Sequence, residues 1–144
     1  MSTLSQSWLF WAMLSAVFAA MTAILAKLGT ANVDSDVATL VRTVVILGLV
    51  FGIVAVSGKL AGVRAVPGSS LGWLVASGLA TGASWLCYFR ALKIWDASRV
   101  APIDKLSVVF VAVIAVFVLG ERLPPLGWAG VGLIATGAAL LAIS

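Results

Sequence analysis

Few side chains in this sequence can do polar chemistry, and their surroundings mark them out. Arg42, Asp104 and Lys105 each stand at the head of, or just within, a stretch of apolar residues. Ser77, Thr81, Ser84 and Tyr88 recur at steps of four, three and four, the spacing that places side chains on one face of a helix. Trp85 borders that face, and Ser15 and Thr22, seven apart, share a face earlier in the chain. A polar-aromatic stripe of this kind suits the wall of a cavity for a small amphipathic molecule. Small and hydroxyl residues also line contacts between packed helices, and Gly78 and Gly82 fit that use. Either way the groups bind and position. No nucleophile–base pair, metal cluster or phosphate-cradling loop can be read in the sequence. Histidine is absent and Cys87 is the single cysteine, so a His/Cys metal site within one chain is excluded. The expectation is a protein that is no enzyme and holds no cofactor.

The elements that carry these residues are apolar runs. Residues 1–26, 43–58, 65–89, 106–120 and 123–144 contain no charged side chain, and Arg42 interrupts a further apolar stretch that begins at Val37. A helix crossing hydrocarbon needs about 20 mostly apolar residues. The runs are continuous rather than alternating, which favours helices over a barrel. With 62% of 144 residues hydrophobic, no soluble domain fits beside them. The predicted fold class is therefore an all-α membrane protein, one domain over residues 1–144, with five transmembrane helices. The first helix is expected over 7–28, the second over 37–57 and the third over 71–92. The fourth ends near Gly120 and the fifth opens at Pro124-Pro125. Pro102 either begins the fourth helix near Ala101 or kinks one that begins near Ser98. Asn32, Asp34, Ser35 and Asp36 are candidate caps for the second. The first run lacks the basic start of a signal peptide and reads as a retained helix.

Five crossings put the two termini on opposite sides. One side then carries Lys59, Arg64 and Arg122, the other Lys27, Arg90, Lys93 and Arg99, with Arg42 and Lys105 a turn inside. Cytoplasmic loops normally hold a clear Lys/Arg excess. Here the bias is slight, so either a single orientation or insertion both ways round is compatible with it. The net charge of +4 would suggest nucleic acid in a soluble protein. These cations instead sit singly at helix ends, where they snorkel to lipid headgroups, and no nucleic-acid partner is expected. Arg42, Asp104 and Lys105 lie at similar depth in one leaflet. An Arg42–Asp104 ion pair is geometrically reasonable, with Lys105 left for a headgroup or an anionic substrate. Equally, all three fit as first-turn residues in the headgroup zone, with Asp104 favoured by a helix N-terminus.

From Gly78 onward the sequence is similar to the EamA domain of the drug/metabolite transporter superfamily. Tyr88, Ala91-Leu92, Ala97-Ser98, Leu119-Gly120-Glu121 and the segment from Gly130 to Gly137 carry the match, and Arg42 fits as well. The resemblance implies five helices per domain, commonly two domains in tandem with inverted topology. This chain would be one inverted-repeat unit that pairs with a second copy or a homologous half, in the bacterial inner membrane. Gly130, Gly132, Thr136 and Gly137 of the last helix resemble the dimerising helix of small multidrug resistance proteins. Two departures stand out. Family members often carry a mid-helix proline in the fourth helix, where Val108 stands here, which leaves Pro102 as a candidate substitute hinge. The helix-1 glutamate of the small multidrug resistance proteins is missing.

The function expected is a secondary transporter or exporter of a small polar or amphipathic metabolite, amino-acid-like or similar, working as an antiparallel or otherwise paired dimer. Substrate would meet Trp85, Tyr88, Thr81, Ser84, Ser15 and Thr22, with Arg42, Asp104 and Lys105 shaping the charge at one mouth. The local cationic excess mildly favours zwitterionic or anionic cargo. A non-transporting accessory or scaffold subunit, and a flippase subunit for a lipid-linked sugar, are the alternatives.

Overall fold

The structure is a computed structural model that describes residues 7–143. Residues 1–6 and 144, which the sequence assigns to the first and last apolar runs, lie outside the described residues. The described elements are α1 (Trp8–Gly29), α2 (Ser35–Val56), α3 (Leu60–Arg64), α4 (Gly68–Ile94), α5 (Ala97–Asp104), α6 (Ser107–Val118) and α7 (Pro125–Ile143). Among the described residues the regular structure is all helical.

Among the described residues four stretches are long and apolar enough to cross a membrane: Trp8–Gly29, Ser35–Val56, Ala97–Val118 and Pro125–Ile143. The predicted third crossing falls on α4, which is not among them. Length is not the reason, since its 27 residues extend about 40 Å at 1.5 Å per residue. Its serines, glycines and Thr81 dilute the apolar character. Most large apolar side chains of the helices point outward, with Phe117 80% and Leu133 75% exposed, while Phe89 and Leu92 are buried. Hydrocarbon is the surrounding that suits such a surface, and small residues, not a large apolar core, let these helices touch.

The chain divides into two compact units, Met1–Lys27 with Ile94–Ser144, and Leu28–Lys93. In the first, α7 packs against α5 and α6. Val100 and Ala138 are buried there. The predicted fourth helix is in two pieces. It begins before Pro102, as a kinked helix would, so Pro102 lies inside α5. Proline has no N–H to give the carbonyl one turn back. One turn later the ladder tightens: Leu106 N–H donates to Ile103 O at 3.0 Å and Val109 N–H to Leu106 O at 2.9 Å. These are the shorter i−3 bonds of a 3₁₀ turn. Pro125 opens α7 in the first turn, where its missing N–H costs nothing.

In the second unit Asp34 proves to be the cap of α2. Its carboxylate accepts from the N–H groups of Asp36 at 2.9 Å and Val37 at 3.2 Å, so the helix starts two residues before Val37. Its far end closes on Gly58, whose φ of 68° is a left-handed conformation. That geometry lets Lys59 N–H reach Val54 O and Gly58 N–H reach Ala55 O, both at 3.0 Å, a Schellman stop. The short α3 lies within the long connection that the sequence left irregular. Hydroxyls within the helices are satisfied one turn back: Thr39 donates to Ser35 O, Thr43 to Thr39 O and Thr81 to Ser77 O.

Candidate functional site

The polar centre of the unit Leu28–Lys93 is Arg42. On α2, Ser35, Thr39, Arg42 and Ile46 follow at steps of four, three and four and form its covered face. Ser35 and Thr39 are buried, while Arg42 and Ile46 are half-buried. On α4 the covered face is Gly82, Trp85, Phe89 and Leu92, with Phe89 and Leu92 buried. The Arg42 guanidinium carbon sits 4.2 Å from the centre of the Trp85 ring and 5.2 Å from that of Phe89. Both distances fall within the range of a cation–π contact.

This face lies one residue, about 100°, away from the predicted hydroxyl stripe. Ser77, Thr81 and Ser84 are exposed, and Tyr88 is half-buried. Trp85, read from the sequence as the border of the stripe, belongs to the covered side. Phe89, the second ring beside Arg42, was not singled out by the sequence, because an apolar ring among apolar neighbours gives no signal.

Where α4 ends, two further cations tie it to the start of α2. Arg90 donates from Nε to Asp36 Oδ1 at 3.1 Å and from Nη2 to Oδ2 at 2.8 Å. Lys93 Nζ donates to Val33 O at 2.8 Å. The sequence places Arg90 and Lys93 on one side of the membrane and offers Asp36 as a candidate cap, without pairing them. Their common depth was the signal that could have paired them.

In the other unit, Asp104 and Lys105 stand at the break between α5 and α6, Nζ to Oδ2 3.3 Å apart. Lys105 is thus engaged by its neighbour, whereas the sequence left it for a headgroup or substrate. Arg42 and Asp104 belong to different units, and each has the partner just described within its own. Trp95 gathers two cations: its carbonyl accepts from Lys27 Nζ at 2.8 Å, and Arg99 lies 5.2 Å from its ring centre. On α1, Ser15 is exposed and Thr22 half-buried. On α7, Gly132 and Thr136 are exposed, Gly130 and Gly137 half-buried. A methyl group built on any of these three glycines would meet nothing within 4 Å.

Comparison with known proteins bears on what these helices do. The EamA-like transporter family matches residues 6–143. The chain belongs to the EamA-like transporter family. A relative from a Sinorhizobium species, described as an uncharacterized transporter in the cobO 3′ region, is 58% identical over 140 residues, covering 97% of this chain and 99% of that protein. No solved structure matches. This EamA-like chain is accordingly an integral membrane protein with a transporter role, as the residues from Gly78 to Gly137 had implied.

Proposed function

We propose that the protein is a secondary transporter of a small polar or amphipathic metabolite, working by alternating access as a pair of copies with α4 as the fifth crossing of each. The observation that carries this reading is the hydroxyl face of α4. Ser77, Thr81 and Ser84 are exposed in a single chain, on a helix long enough to span. Thr81 returns its hydroxyl to Ser77 O, but lipid offers Ser77 and Ser84 nothing, so a polar cavity completed by a second copy is the surrounding that suits this face. Trp85 and Tyr88 flank this face, and Ser15, Thr22, Arg42, Asp104 and Lys105 are the remaining polar groups at hand. The open space beside Gly130, Gly132 and Gly137 supports α7 as the helix that meets the partner.

The test begins with a ligand-stabilisation screen of purified protein across amino acids, nucleosides and sugars. Stabilising compounds then go into a proteoliposome uptake assay. Trp85→Ala is expected to abolish uptake while the protein still assembles; full uptake by this variant removes Trp85 from the substrate path. Tags on both termini of the same protein report orientation. Both tags on both sides supports insertion in two directions, and one clean orientation rules it out.

A further inference from the structure

We propose that Arg42 is an oxyanion receptor, and that the cargo carries a carboxylate or phosphate which this guanidinium binds. This rests on the transport reading above and names the substrate class within it. Arg42 lies seven residues into α2, about 10 Å along the helix from its start. A charge at such a place is unusual enough to count as functional by default. The cations nearest the start of α2 and the end of α4 already have oxygen partners: Arg90 holds both oxygens of Asp36, and Lys93 holds the Val33 carbonyl. Residues 28–93 contain two carboxylates, Asp34 and Asp36. The first is spent on the backbone of α2 and the second on Arg90. Within its unit, therefore, Arg42 has rings for neighbours and no carboxylate. Trp85 and Phe89 supply negative charge density to the cation. The Tyr88 phenol acts on Arg42 electrostatically, but Trp85 and Phe89 supply no oxygen to its five N–H donors, which form a planar fork shaped for a carboxylate or phosphate.

The arrangement also orients. A guanidinium resting against a ring at 4.2 Å is partly oriented before a ligand arrives, so less entropy is lost on binding. The charge of the unit acts in the same direction. At the end of the unit where Arg42 lies, Arg42, Arg90 and Lys93 stand against Asp34 and Asp36, a slight positive balance that draws anions and repels cations. Arg42 is half-buried in the single chain, sheltered enough to strengthen a charge-assisted bond and open enough to be reached.

The probes are three molecules of nearly one shape: benzoate, benzamide and benzylammonium, with inorganic phosphate as a second anion. Binding is measured by calorimetry on purified protein in phosphatidylcholine nanodiscs. Benzoate is expected to bind about tenfold more tightly than benzamide, and benzylammonium more weakly still. Arg42→Gln should erase the preference for benzoate over benzamide. Arg42→Lys, which keeps the charge and loses the fork, should retain part of it. If benzylammonium binds best, or if Arg42→Gln keeps the benzoate preference, the proposal fails. Should Arg42→Gln not fold, the ranking of the three probes on the wild type and on Arg42→Lys still decides. A lipid source is distinguished by adding phosphatidylglycerol. Retention of that lipid by the wild type and not by Arg42→Gln, with no competition from benzoate, assigns Arg42 to a headgroup and overturns the proposal. Binding is read without transport: benzoate preference in a protein that moves nothing sinks the transport reading alone, and transport without that preference sinks this one alone.

Discussion

Asp36 and Arg90 meet through two parallel hydrogen bonds, the strongest geometry available to an arginine and a carboxylate. Both side chains are nonetheless about half exposed, and charges open to water lose most of their attraction to screening. The pair is better seen as a register pin between the end of α4 and the start of α2 than as a store of stability. Asp36→Asn is therefore expected to lower the melting temperature slightly at low salt, with the difference from wild type vanishing as salt is raised. A large, salt-independent loss would show that the pair carries the fold. Much at this scale was legible: Arg42, Trp85 and Tyr88 stand out because polar and aromatic groups in apolar runs have few innocuous explanations. Their pairing was not legible. Depth can be read from position along a helix, but which way a helix is rotated depends on its neighbours. That is why Trp85 was read as the border of the hydroxyl stripe when its ring lies under Arg42.

Among the elements, the interrupted stretch Ala97–Val118 asks most of its sequence. Its apolar second half, α6, would continue as one straight helix from α5 but for Pro102 and the polar Asp104-Lys105 step. Proline inside a helix removes a backbone bond and crowds the carbonyl a turn before it. In a membrane such breaks persist where the freed groups are satisfied by other means, and many transporters place them at their moving parts. Pro102→Ala should restore the ladder, raise the melting temperature and slow transport, a trade of motion for stability. Faster or unchanged transport in the more stable variant would show that the break is only a packing detail. The sequence leaves this proline either opening the helix or kinking it, and the structure has it inside α5. The step at Lys105 and Leu106 could not be foreseen, because the switch to shorter bonds depends on how the turn after the proline relaxes. The short α3 was missed for a related reason: five residues are too few for a periodic signal to emerge. The start of α2 was easier, since Asp34, one of four candidate caps, acts through local chemistry that a sequence displays directly.

At the scale of the whole molecule the question is whether one copy is enough, and α7 gives it an experimental form. Glycine in the middle of a helix is a liability: it costs about 1 kcal/mol relative to alanine because its backbone gives up more freedom on folding. Gly132 has no compensating neighbour in the single chain, where an added methyl would meet nothing within 4 Å. Considered alone, then, Gly132→Ala stabilises. If a second copy lies against this face, the same methyl keeps the two backbones apart and weakens association, as substitutions at small-residue contacts between membrane helices do. The two effects have opposite signs and are read by different instruments. Thermal unfolding at high lipid-to-protein ratio should show a higher melting temperature. Energy transfer between labelled copies at low ratio should show fewer pairs. A folding defect cannot give both results at once, since it would lower the first reading along with the second. A variant that is more stable and pairs as well as the wild type would mean that α7 faces lipid, and the partner would then have to be sought along the exposed hydroxyls of α4.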